Sequence, residues 1–231
     1  MMPFYFDPVM LLFIGPAILL GLWAQWRIHA TYGQAQQMPA PLTGAQAARH
    51  ILDSAGLNDV NIEQVPGHLS DHYDPRAKVL RLSPDVYGDR SLAAVGIAAH
   101  EAGHAIQDAT HYAPLVIRNA VVPLASVGSG FGMILLMIGL AMAIQPLVWA
   151  GILLFGAVAF FQVVNLPVEF DASSRAKAQL VEYGIVPREE MRYVNKVLNA
   201  AALTYVAATL QAVLTLLYYI FRFTGGGHRD E

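Results

Sequence analysis

The apolar positions fall into a few long unbroken runs separated by shorter stretches in which they recur with a helical or a strand period. Val9 to Ile28 (VMLLFIGPAILLGLWAQWRI) is the first run. At about 1.5 Å per residue it can cross a hydrocarbon core about 30 Å thick. No basic residue precedes it, and Trp23, Trp26 and Arg27 have the composition of an interfacial anchor, so it reads as a retained helix rather than a cleaved leader. Ala120 to Ile144 and Leu147 to Leu166 are two further spans, joined by a link so short, around Gln145 and Pro146, that they must form an antiparallel hairpin. Gly128 and Gly132, four apart, would let the hairpin helices approach closely. Ala201 to Phe221 is the fourth span.

The segments between these runs predict an extramembrane region. Thr31 to Pro41 is a polar, Gln-rich connector. Thr43 suits an N-cap, Ala48, Ile51, Leu52 and Ala55 recur on one helical face, and Gly56 is placed to end that helix. Val60 to Val65 and Lys78 to Ser83 alternate with the two-residue period of strands across the turn-rich PGHLSDHYDP. They predict a small antiparallel sheet, its second strand near the apolar helix that starts at Ser91, with an edge able to take an extended peptide as an added strand. A helix from about Glu169 to Tyr183 follows the hairpin, and Pro187, Glu189 and Glu190 mark another helix start, with Val194, Val197 and Leu198 on one face. The expected fold class is mainly α: four transmembrane helices at 9–28, 120–144, 147–166 and 201–221 carry a small α+β region, assembled from 29–118 and 167–200, on one membrane face. The whole chain is one integral membrane unit. The tail GGGHRDE is polar, and His228 in it is incidental.

Composition agrees with a bilayer environment: 55% of residues are hydrophobic and 13% charged. A net charge of −3 and the lack of a basic stripe give no support for nucleic acid binding. Without cysteines, any metal must be held by histidine and carboxylate. Of the 14 Lys and Arg residues, 12 lie within 27–118 and 175–196, on one face of a four-span arrangement. The positive-inside rule then puts that face in the cytoplasm of a multi-pass cell-membrane protein, with both chain ends outside.

Ala98 to Asp108, AAHEAGHAIQD, supplies the chemistry. His100 and His104 in H-E-x-x-H stand one above the other on a helix and can share one zinc ion. Glu101 lies about 100° round the helix, able to take a proton from water at the open metal position without being a ligand. The preceding run SLAAVGIAA is small and apolar, so the helix is buried, and a buried imidazole pair beside a carboxylate needs a reason to be there. Glu169, brought back by the hairpin, is the expected third ligand; its bland alternative is an acidic residue favoured at a helix N-terminus. His68, Asp71, His72, Tyr73 and Asp74 invite a second metal site, calcium at Asp71 and Asp74 included, but a solvated turn explains them more simply.

With DHYDPRAKVLRLS at 71–83, AAHEAGHAIQD at 98–108 and NLPVEFDASSRA at 165–176, the chain resembles the YugP-like membrane zinc metallopeptidases over nearly its whole length. That family is similar to gluzincins, whose third zinc ligand is a Glu at the head of a later helix; Glu169 matches that place. The resemblance implies a zincin-like catalytic domain, one zinc ion and peptidase activity. In the relatives an Asp or Asn four residues after this Glu orients a zinc histidine, and here Ser173 stands there. Asp171 and Asp108 are the substitutes, Asp108 being four residues after His104.

The expected activity is metalloendopeptidase hydrolysis with zinc-activated water and Glu101 as general base, acting on a peptide or membrane-protein substrate. Arg175, Tyr205, Tyr112 and Tyr193 are candidates for steadying the oxyanion. Two rivals remain. One is a non-catalytic zinc-binding membrane scaffold, which would leave Glu101 without a task. The other is cleavage inside the bilayer, disfavoured because Arg90 and Asp108 close the zinc helix and no downstream L-D-G segment exists.

Overall fold

The computed structural model describes residues 8–225; the tail at 226–231, with His228, lies outside the described residues. The chain divides into two compact units, one made of Met1–Trp23, Ile117–Leu166 and Thr204–Glu231, the other of Ala24–Val116 and Pro167–Leu203.

Among the described residues, the first unit contains parts of four helices long and apolar enough to cross a membrane: α1 (Pro8–Gln36), the helix from Ala113 to Ala141, α7 (Gln145–Glu182) and α8 (Met191–Gly225). Their apolar windows are mostly exposed, with Leu12, Leu19, Leu153 and Phe131 more than half accessible, as lipid-facing side chains are. The second helix is interrupted: α5 (Ala113–Val127) passes into a π-helical turn at Gly128–Gly132 before α6 (Met133–Ala141). A Cβ on Gly128 would overlap the Leu154 carbonyl oxygen of α7, so this turn permits a backbone contact that no other residue allows. Thr209 of α8 donates to the Gln162 carbonyl of α7, a further tie inside this unit.

The second unit is built on α2 (Gly44–Ser54), β1 (Asn61–Gln64), β2 (His72–Asp74), β3 (Val79–Leu82), the short α3 (Pro84–Tyr87) and α4 (Leu92–Ala109), together with the ends of α1, α7 and α8. Thr43 caps α2 with a full capping box through Gln46, and Gly56, at φ +75°, takes the left-handed position that follows the helix. Ile51 and Leu52 of α2, Leu80 and Leu82 of β3 and Val95 of α4 are fully buried in one core. That core fixes α4 from one side.

Three expectations are corrected. The sheet is three-stranded in the order β1-β3-β2: β1 pairs parallel with β3, and only β2 is antiparallel to it. The turn-rich segment supplies β2, and the chain between Gln64 and His72 lets β3 return alongside β1 in the same direction. Second, α1 continues through the supposed polar connector as far as Gln36, because alternating buried and exposed positions there (Tyr32 and Ala35 inside) pack it on the core. Third, Glu169 does not begin a helix. It lies within the uninterrupted α7, which passes straight through Pro167, so the dipole explanation for an acid at that position falls away.

Candidate metal centre

α4 is a helix of small residues for a geometric reason. Ser91 caps it by accepting from Ala94 N, and Ala98, Ala99, Ala102 and Ala105 leave its surface low enough for other helices to approach. One of them, α7, approaches at Gly103, the G of H-E-A-G-H. A Cβ there would sit 2.7 Å from the Ala172 carbonyl oxygen, a backbone clash that nothing flexible can relieve. Glycine at 103 therefore sets how near α7 comes, and α7 carries Glu169.

At this contact three groups meet. His100 Nε2 lies 3.2 Å and His104 Nε2 3.7 Å from Glu169 Oε2, and one ligand atom from each of the three residues falls within 4.8 Å of the others. The imidazoles are stacked edge to face, with ring centres 4.7 Å apart. All three side chains are mostly buried, Glu169 to 5% exposure. Two imidazole nitrogens and a carboxylate oxygen, turned to one point, form the donor set that zinc takes in hydrolytic sites, and among the described residues it is the only group of His, Cys, Asp and Glu that converges this way.

The outer nitrogens are also engaged. His100 Nδ1 lies 3.1 Å from Ser173 Oγ, and His104 Nδ1 lies 2.9 Å from Gln107 Oε1. Burial works against a charge on His104, but the Glu169 and Glu101 carboxylates and the Gln107 amide outweigh it and raise its pKa above the ordinary histidine value. Glu101 is buried to 8% exposure, and among the described residues none donates a hydrogen bond to its carboxylate. It is left available for proton transfer.

The remaining expected residues have other neighbours. Asp108 accepts from Tyr73 Oη at 3.0 Å, which ties β2 to the end of α4, and Asp171 accepts from Gln107 Nε2 at 2.8 Å and pairs with Arg175 Nε. Neither acid touches an imidazole. Arg175 also lies over the Tyr112 ring at 5.7 Å, and Tyr193 lies under Arg192. The acidic turn is committed to structural partners nearby: Asp71 accepts from Ser83 N and Oγ, Asp74 from the amides of Arg76 and Ala77 and from the Arg81 guanidinium, and His68 pairs with Asp85. Burial raises the Asp71 pKa, with the Ser83 bonds pulling the other way. Gln107 is the participant that the sequence reading passed over. The only signal for it was a polar residue three places after His104, on the same helical face as the two histidines.

Comparison with known proteins agrees with this geometry. Residues 10–224 match a family described as "putative neutral zinc metallopeptidase". The chain is also 45% identical over 217 residues to the "putative membrane protease YugP" of Bacillus subtilis (strain 168), covering 93% of this chain and 96% of that protein. No solved structure matches it. By both the extent of the family match and the identity to that relative, the chain belongs to this YugP-like family of membrane proteins, to which the three sequence motifs had pointed.

Proposed function

We propose that this protein is a membrane-embedded zinc metalloendopeptidase, in which His100, His104 and Glu169 hold one zinc ion and Glu101 is the general base. The observation that carries the reading is the convergence of three ligand atoms within 4.8 Å beside a buried, uncommitted glutamate. When bound, the ion would polarise a water and the scissile carbonyl and so supply the Lewis acid. Three protein ligands, rather than the four that close a structural site, favour a catalytic role. Glu101 accepts a proton from the attacking water on its carboxylate and returns it to the leaving amine nitrogen. Ser173 and Gln107 hold the two imidazole rings in plane, and Gly103 brings the two helices into register.

The edges of the sheet, β1 and β2, offer unpaired backbone to an extended peptide. The substrate class is therefore a peptide segment or an unfolded part of a membrane protein. The family and its relative, named as metallopeptidase and membrane protease, support the class of activity. Because α4 is not among the four helices suited to cross a membrane, cleavage is expected outside the hydrocarbon core. The charge asymmetry points to the cytoplasmic side.

The test is hydrolysis of a peptide library by the full-length protein in lipid nanodiscs, with zinc content measured in parallel. Glu101→Gln should keep its zinc and lose activity by about 10²–10⁴-fold. A wild type that is fully zinc-loaded yet inert across peptides and membrane-protein fragments would leave a structural zinc scaffold as the better description.

A further inference from the structure

Gln107 is fully buried, and the direction of its amide can be deduced from its neighbours. Its nitrogen lies 2.8 Å from the Val168 carbonyl oxygen and 2.8 Å from Asp171 Oδ2, while its oxygen lies 2.9 Å from His104 Nδ1. A backbone carbonyl can only accept, and the Asp171 carboxylate, ion-paired to Arg175, accepts as well. Both places therefore require the amide NH₂, and the oxygen is what remains to face the imidazole. An amide oxygen only accepts, so His104 must carry its hydrogen on Nδ1. The lone pair of the neutral ring is then on Nε2, the nitrogen turned toward Glu169. His100 has no such constraint, because the Ser173 hydroxyl can donate or accept.

We infer that Gln107 is the positioning residue of the metal site: it fixes the tautomer and ring plane of His104 and, through the Val168 carbonyl, the register of the neighbouring Glu169. This rests on the zinc reading given above. A carboxylate commonly has this task behind a zinc histidine. Here a neutral amide does it, and the acid stands one bond further out, at Asp171, where Arg175 balances its charge. One side chain thereby couples a ligand on α4 to the turn of α7 that presents the third ligand.

The test measures zinc affinity by competition with a chromophoric chelator, on full-length protein in detergent micelles, for the wild type, Gln107→Met and Gln107→Glu. Gln107→Met keeps the shape and removes every hydrogen bond, and it should weaken zinc by about 10–100-fold. Gln107→Glu, compared with Gln107→Met in an Asp171→Asn background so that no carboxylate faces another, loses the donation to Val168 but keeps an acceptor at His104 Nδ1, and should bind at least about threefold tighter than Gln107→Met. A merely structural glutamine predicts equal losses in both, so equal losses overturn the inference, as does a Gln107→Met protein within about twofold of the wild type. If Gln107→Met does not fold, ¹⁵N spectra of ¹¹³Cd-loaded wild type decide the matter alone. Metal coupling to Nε2 of His104 with a slowly exchanging hydrogen on Nδ1 supports it, and coupling to Nδ1 overturns it. A wild type that binds no zinc rejects the metallopeptidase reading itself, a result distinct from either of these.

Discussion

At the scale of single residues, the ligand assignment makes a direct demand on Glu169. With Oε2 3.2 and 3.7 Å from the two imidazole nitrogens, it is the group that closes the site, and Glu169→Ala should lose most of the bound zinc by metal analysis. Full retention of zinc would remove Glu169 from the ligand set. Protons compete for the same place. The raised pKa of His104 means that in the metal-free protein a proton held between His104 and Glu169 stabilises the fold below the unfolded histidine value of about 6.5. That contribution fades as pH rises through the higher folded value. Metal must displace this proton, so zinc affinity should rise with pH across that window, and a competition titration between pH 6 and 8 reads it. An affinity that falls as pH rises would contradict the assignment. H-E-x-x-H was legible because two imidazoles four apart have one geometric meaning on a helix. Gln107 was not, since the role of a glutamine depends on what another helix places opposite it.

At the scale of elements, the closeness of α4 and α7 depends on one missing methyl. In Gly103→Ala the new Cβ would stand 2.7 Å from the Ala172 backbone, and the helices must separate to relieve it. Overpacking of this kind costs about 1–3 kcal/mol. Because the separation carries Glu169 away from His100 and His104, zinc affinity should fall about tenfold or more while the helix content by circular dichroism is kept. Gly96→Ala serves as the control. Its Cβ meets a methyl of Val194 at 3.1 Å, a side chain that can yield, so zinc should bind nearly as in the wild type. Hydrophobic periodicity placed the helices and strands but misjudged how they end and pair. The sequence around Thr31–Gln36 turns polar, and the helix continues because Tyr32 and Ala35 are buried against a core far along the chain. In the same way, strand alternation identified β1 and β3 yet could not reveal that β2 would occupy the antiparallel edge and leave β1 and β3 parallel.

At the scale of the whole molecule, the exposed apolar faces and the distribution of charge carry the proposal that the site faces the cytoplasm. Four helices of sufficient length and apolarity expose most of those surfaces, which is stable only in lipid. The segments at 27–118 and 175–196 hold 12 of the 14 Lys and Arg residues, and translocating so many cations outward is what the positive-inside bias disfavours. Since the chain has no native cysteine, a single engineered thiol reports without background. Arg76→Cys beside β2 and Glu189→Cys before α8 replace exposed side chains on the two segments. Neither should react with a membrane-impermeant maleimide in intact cells, and both should react once the membrane is permeabilised. The two positions must also agree, because an even number of crossings, α5–α6 and α7, separates them. Labelling of both in intact cells would place the metal centre outside the cell and make its substrates extracellular, whereas labelling of one alone would break the four-span arrangement.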